Sequence, residues 1–334
     1  MSDFTNRLGH DNFVWWIGVV EDRFDPLNLG RCRVRIFGSH TDNLQEIPTS
    51  DLPWAQTILP VNSSLITGTA QEGDYVFGFF MDGLAAQAPA IMGVFPGIPQ
   101  QFSNSGTGFI DQRDDKTLSN SPKKSIVNGS TISEGKASRN PTNIGEPTNS
   151  RISRNYKVDE TLIGYMKSSL DENVSVADGS TWNEPATKYA AKAPYDRVFE
   201  SESGHIMEFD DTPDAERITI VHRKGSFVEF HPDGSKVTKI VNKNYEICLS
   251  DNNIHIKGDY NLTIDGNANI LVQGDASVVA KNIKLDAEST NVTGNLIVNG
   301  DISSGGDVTS SNISLLDHKH GGVKAGSDLT SGPQ

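Results

Sequence analysis

Two histidines near the end of the chain, His318 and His320, flank Lys319. On an extended strand that spacing sends both imidazoles to one side and the lysine to the other. By itself an His-x-His is weak evidence for a metal, because a surface histidine pair has the same spacing. Other residues of the right chemical type fare worse. Glu21, Asp22 and Asp25 form a carboxylate cluster, but beside a turn and two strands they are expected to cap, to solubilise and to pair with Arg23 or Arg31. Asp210, Asp211 and Asp214 surround Pro213 too irregularly for a calcium loop and read as a solvated turn. His205, His222 and His231 are scattered and read as strand surface or satisfied core. Trp15, Trp16 and Trp54 read as core or as contacts between copies, not as a sugar-stacking platform. The glycine-rich stretches lack the strand-to-helix setting and lysine of a phosphate loop. Cys32 and Cys248 lie far apart and match no metal spacing. One long-range disulfide remains open to them, although two free thiols are expected of a protein assembled in a reducing cytoplasm.

The elements that must position these residues are strands. Phe13 to Val20, Gly30 to Phe37, Trp54 to Leu59, Asp74 to Phe80 and Ala90 to Phe95 are short apolar or alternating runs separated by turn residues. In the second, Arg31, Arg33 and Arg35 alternate with Cys32, Val34 and Ile36, the pattern of a half-buried strand. Five such strands in under a hundred residues predict a small closed barrel of the OB type, here assigned to residues 1–99. Residues 100–197 are polar and lack periodicity, so they read as an extended linker that is ordered only along other chains, with a short helix over Asp159 to Leu170. Strands return over residues 198–250: Val198 to Ser201, His205 to Phe209, Ile218 to Val221, Ser226 to Phe230 and Lys236 to Val241.

From Ile254 to Ala280 every even position is apolar or glycine, and Gly258, Gly266 and Gly274 recur every eight residues. The alternation slips to odd positions at Ile283 and Leu285 and returns to even ones from Val292 to Ile302. Period two means one dry side and one wet side, and a single ribbon cannot bury its own dry side. Eight residues are too few for one rung of a single-chain β-helix, but they suit three chains that each supply one wall and then turn a glycine corner. An intertwined homotrimer also leaves no strand edge open. Residues 251–312 are therefore expected to form a triple-stranded β-helix, and residues 313–334 its apex. The whole is all-β: an OB barrel, an intertwined trimeric β-stem and a pointed β-helix.

Charge narrows the partners. Lys and Arg number 29 against 43 Asp and Glu, for a net charge of −14, which disfavours nucleic acid and anionic lipid heads. No small-molecule substrate is expected either. The chain opens on no secretory signal and holds no apolar run of membrane-spanning length, so it is expected to be made in the cytoplasm.

The runs Val19-Val20-Glu21-Asp22-Arg23-Phe24-Asp25-Pro26-Leu27, Leu29 to Arg35, Ile47-Pro48-Thr49 and Leu52-Pro53-Trp54 resemble the OB domain of the tail-lysozyme spike of T-even phages. Glu202 to Pro213 resembles the start of the stem in the same family, the central baseplate spikes of contractile-tailed bacteriophages, and the octads resemble its triple-stranded β-helix. The lysozyme domain that the enzymatic member carries between barrel and stem has no counterpart in residues 100–197, which are too short and too polar for a helical lysozyme core. Ser314 to Gly322 is similar to the tips of shorter, self-pointed phage spikes, in which an His-x-His pair from each of three chains binds iron on the axis.

The resemblance implies a structural spike at the tail tip of a virion, not an enzyme. It would be made in the host cytoplasm, attached by its barrels to the baseplate hub protein and driven through the host outer membrane. It also implies one iron ion per trimer held by His318 and His320; six imidazoles suit octahedral Fe(II) better than four-coordinate zinc. The alternative is a β-helical tail enzyme or adhesin that binds or degrades surface glycans. That would need a cleft with converging acids and aromatics, whereas the octads carry one aromatic, Tyr260.

Overall fold

The computed structural model describes residues 13–61, 69–101, 103–113, 145, 147–167, 179–201 and 203–319, and the backbone alone at 125–127, 130–132, 174–175 and 182. Backbone proximity divides the chain into two units, Met1–Asp265 and Gly266–Gln334.

The first unit opens on the expected barrel. Strands β1 (Trp15–Asp22), β2 (Cys32–Ile36), β3 (Trp54–Thr57), β4 (Tyr75–Phe80) and β5 (Pro89–Phe95) close in the order β1-β2-β3-β5-β4. All neighbours are antiparallel except β3 and β5, which run parallel. Trp16, Val20, Cys32, Val34, Ile36, Val76, Phe80 and Ile91 fill the interior. Gly78 is needed here, since a Cβ would collide with the Ala90 carbonyl and the Trp16 indole. Cys32 and Cys248 are both free thiols, the first buried and the second exposed.

Alternation on β2 is broken at one end. Arg35 is fully buried instead of facing water. Its Nε and Nη2 donate to Glu21 at 2.7 and 3.0 Å, and Nη1 and Nη2 also donate to the carbonyls of Thr41 and Ile47. The Thr49 hydroxyl and the Phe109 amide donate to the same Glu21 carboxylate. With each guanidinium nitrogen and both carboxylate oxygens engaged, the desolvation of the pair is offset. Asp25 does what the cluster reading expected. It accepts from the amides of Leu27, Leu29 and Arg31 and pairs with the Arg31 guanidinium at 2.7 Å.

Short two-stranded pieces follow: β6 (Ser125–Val127) with β7 (Ser130–Ile132), and β8 (Val174–Ser175) with β9 (Thr181–Trp182). The helix expected over Asp159 to Leu170 is a single turn and a half, α1 (Leu162–Met166), preceded by a tighter turn at Val158–Glu160; residues 168–170 lie outside the described ones.

The described parts of 100–197 are not merely an extended linker. Ile152, Val158, Leu162, Tyr165 and Met166 are buried against Ile206, Val221 and Phe227 of the following sheet of the same chain. The polar average of the segment hid this, because the apolar side chains at 158, 162, 165 and 166 make a short helical stripe among polar neighbours.

That sheet is a simple antiparallel meander of β10 (Asp196–Glu200), β11 (Ile206–Asp210), β12 (Arg217–Val221), β13 (Phe227–Phe230) and β14 (Lys236–Lys239), matching the strands expected for 198–250. Beyond it, residues 240–313 are all exposed in the single chain. The second unit ends on a hairpin of β15 (Thr309–Ser310) and β16 (Ile313–Ser314).

Candidate functional site

The candidate apex is built on that hairpin. Ser311 and Asn312 both take positive φ, 47° and 70°, which suits the tight turn whose twist matches paired strands. Ser314 then organises the chain that follows. Its hydroxyl oxygen accepts from the amides of Leu316 and Asp317 at 3.1 and 2.9 Å. Its carbonyl accepts from the His318 amide at 3.1 Å and lies 2.9 Å from His318 Nδ1. Asp307 Oδ1 accepts from the Leu316 amide, and the Ser314 hydroxyl, followed by neighbouring backbone amides, holds the Asp307 carboxyl below its ordinary range.

The extended strand expected to carry both histidines is therefore preceded by a turn at 315–317, and His318 is the first residue after it. A ring that donates from Nδ1 to a carbonyl keeps its lone pair on Nε2, the arrangement usual for a metal-ligating histidine. The donor set fits a divalent transition metal on that count. His320 and residues 321–334 lie outside the described residues.

The stripe precedes the apex in the sequence. The chain bends at 241–242, 249–250, 257–258, 265–266, 273–274 and 281, a period of eight that begins two repeats before Gly258, the first octad glycine. Gly258, Gly266 and Gly274 do not take positive φ, so the left-handed corner expected of them is absent. What remains of the case for glycine is close approach by another backbone, and a Cβ at any of the three meets nothing within 4 Å in the single chain. Ile254, Leu262, Ile264, Ile270, Val272 and Val278 are all exposed, Ile270 by 90%. Fully burying such a side chain is worth about 1.5–3 kcal/mol, so the stripe carries a large unmet driving force for association.

The other candidates settle as structure. Asp210, read as part of a solvated turn, is instead buried, 3.7 Å from Arg217 Nε. His231 is buried against Glu229 at 2.9 Å, and the His205 and His222 rings lie 4.5 Å apart. Trp16 is core, while Trp15 is exposed and stacked on Phe77 at 4.8 Å. Trp54 lies under the Arg33 guanidinium at 4.6 Å. Among the described residues no group of three or more His, Cys, Asp or Glu could hold a metal within one chain, and no helix is long and apolar enough to cross a membrane.

Sequence reasoning missed the charged interior of the β10–β14 sheet. Arg217 there meets Glu208 at 2.7 Å and Glu229 at 2.6 Å. The signal was present in the alternation of Glu208 and Asp210 with Met207 and Phe209, but alternation alone does not say which set faces in.

Comparison with known proteins matches two stretches of the chain to described families. Residues 38–173 match the family described as the Gp5 N-terminal OB domain, and residues 312–334 match the GpV Apex motif. The chain is 37% identical over 274 residues to Protein Gp5 of Vibrio phage KVP40, covering 75% of this chain and 63% of that protein. It is 38% identical over 112 residues to the pre-baseplate central spike protein Gp5 of Enterobacteria phage T4, covering 30% of this chain and 19% of the T4 protein. The chain thus spans less than two thirds of the length of either relative.

Proposed function

We propose that this chain, a relative of the Gp5 central spike proteins of contractile-tailed phages, is the structural spike at the tip of such a tail. The observation that carries this is the order of parts in one polypeptide. A barrel of the Gp5 OB family comes first, an uncovered apolar stripe with an eight-residue bend follows, and an Apex motif closes the chain. A stripe of that kind is stable in water only when copies cover one another, and three intertwined chains hide it while leaving no open edge. The homotrimer is a needle whose barrels dock on the baseplate hub protein and whose point crosses the host outer membrane on contraction. It has no need of catalysis, and the part it plays is mechanical.

At the point the three chains come too close together to enclose a hydrophobic core, and another fastening is required. His318 and His320 from each chain supply six imidazole nitrogens, a set suited to one octahedral Fe(II). The Ser314 carbonyl beside Nδ1 fixes the tautomer that leaves Nε2 as the ligand atom. When bound, the ion supplies a cross-link between chains, and ligation contributes several kcal/mol of local stability.

Elemental analysis of protein purified without chelator tests the apex, and a peptidoglycan and polysaccharide cleavage assay on the same material tests the mechanical role. One iron for every three chains and no cleavage is the expected result. One metal per chain, or none, contradicts the six-histidine apex, and turnover of a glycan contradicts the mechanical role.

A further inference from the structure

Phe37, the residue after β2, is apolar yet 46% exposed. Phe109 stacks on it with ring centroids 4.4 Å apart, and the Tyr75 ring at the start of β4 lies near-parallel at 6.5 Å. Phe109 takes φ +65°, a conformation that costs a bulky residue on the order of 1–3 kcal/mol and persists only where neighbours impose it. Here they do. Its amide donates to Glu21 at 2.9 Å, and the Gly108 amide donates to the Asp42 carbonyl at 2.8 Å. A Cβ at Gly108 would collide with the Arg35 side chain, so only glycine lets this loop lie so close to the barrel. Opposite, the Gly97 amide donates to the Thr148 hydroxyl at 2.9 Å and the Thr148 amide to the Gly97 carbonyl at 2.8 Å. Between these walls lies a cavity of about 310 Å³.

The charge on its walls has one sign. Asp42 and Asp111 line the cavity with the three aromatic residues and Ser103, and among the described residues no Lys, Arg or His does. Asp111 is already paired with Arg113 at 2.6 Å. Asp42 pairs with no cation among the described residues, and its carboxylate has one weak contact, from the Thr41 hydroxyl at 3.5 Å. The Ser103 hydroxyl oxygen is buried without a hydrogen-bond partner, a state that calls for a ligand or water to supply one. We propose that this cavity binds a guanidinium group on an apolar stem. A guanidinium is planar, stacks on aromatic rings and donates in a fork to a carboxylate, so one group answers the rings, Asp42 and the Ser103 oxygen together. A bare metal ion would leave the rings unused, and an anion would be repelled by Asp42. An arginine side chain of a partner protein and a free small molecule present the same group. All the residues involved belong to the first unit of one chain, so the proposal depends on neither the trimer nor the apex.

Saturation-transfer NMR on the full-length protein, titrated with N-acetyl-arginine amide, tests this, with the neutral isostere N-acetyl-citrulline amide as control. Saturable binding of the arginine compound is expected, about tenfold or more tighter than that of citrulline. Asp42→Asn keeps the shape of the side chain and is expected to weaken binding about tenfold, and Ser103→Ala to weaken it less, with the barrel melt unchanged in both. A capped pentapeptide with a central arginine separates the two sources. Binding as tight as that of the amide points to the side chain of a partner protein, and exclusion of the peptide points to a free molecule. Equal binding of citrulline, binding unchanged by Asp42→Asn, or no saturable signal overturns the proposal.

Discussion

Glu208, Asp210 and Glu229 converge on the guanidinium of Arg217, at 2.7, 3.7 and 2.6 Å, with Asp196 opposite Asp210 in the register and His231 behind Glu229. Thr187 and Thr219 add hydroxyl contacts, to Glu229 and Arg217 respectively. Four carboxylates share one permanent cation in a dry site, so not all of them ionise. Burial pushes the Glu208 carboxyl up to about 8, against the pull of Arg217, and burial together with the Asp210 charge pushes Asp196 up to about 6. Carboxyls raised in the fold keep protons that the unfolded chain releases, so their contribution is full below the ordinary carboxylate range and is lost as pH climbs through about 6 and then about 8. The slope is at most about 1.4 kcal/mol per pH unit for each group. The thermal midpoint of this sheet is expected to fall between about pH 5 and pH 9, and Glu208→Gln to flatten the upper part of the fall. A midpoint that rises across that interval contradicts the assignment.

In the barrel, Arg35→Met leaves Glu21 buried without its partner and is expected to cost roughly 3–5 kcal/mol of barrel stability, read from the fluorescence melt of buried Trp16. At the apex, His318→Ala with His320→Ala is expected to release the iron while the octads stay assembled. In the parent the metal is expected to leave as pH falls through the histidine range, because ligation needs neutral rings. Iron retained by the double variant sinks the assignment.

At the scale of elements, the proposed assembly rests on the stripe. Ile264→Asp or Val272→Asp puts charge into an interior with nothing to pair it, and soluble three-copy protein is expected to vanish in light scattering. Its persistence would mean that the even positions face water. The sheet sets a second expectation. A fragment beginning at residue 200 strips Ile152, Leu162 and Tyr165 from Ile206 and Phe227, whereas one beginning at 145 keeps that cover. The longer fragment should assemble as a soluble stem and the shorter one aggregate.

These elements also mark what could be read from the chain. The ten main strands and the octads announce themselves through period-two patterning, which local sterics fix. Arg35 and the Glu208–Arg217 cluster did not, because pairing of buried charge depends on residues from distant strands. The short stripe ending at Met166 vanished into a polar average. Which face of β11 turns inward was undetermined, because alternation marks two sides without saying which is the core. At the apex the spacing of His318 and His320 was legible, but the role of Ser314 was not. A carbonyl that orients an imidazole leaves no mark in side-chain type.

For the molecule as a whole, one polypeptide carries a closed barrel that needs no partner for its core and a stripe that cannot be stable without one. That asymmetry suits the proposed spike, in which the barrel would fold independently where it attaches and the stripe would intertwine with its copies. On the proposed reading, the net charge of −14 would keep the spike's surface away from anionic lipid. Deleting the barrel is expected to abolish binding to the baseplate hub protein and leave the stem assembled; hub binding that survives the deletion contradicts this division of labour. Intertwining further predicts resistance to detergent and heat, because separating the chains means unwinding every octad at once. The most direct test is the mass of the full-length chain by sedimentation equilibrium in plain buffer. Three chain masses, unchanged on dilution, is the predicted result; a stable single chain with a native-like β signal would contradict the account.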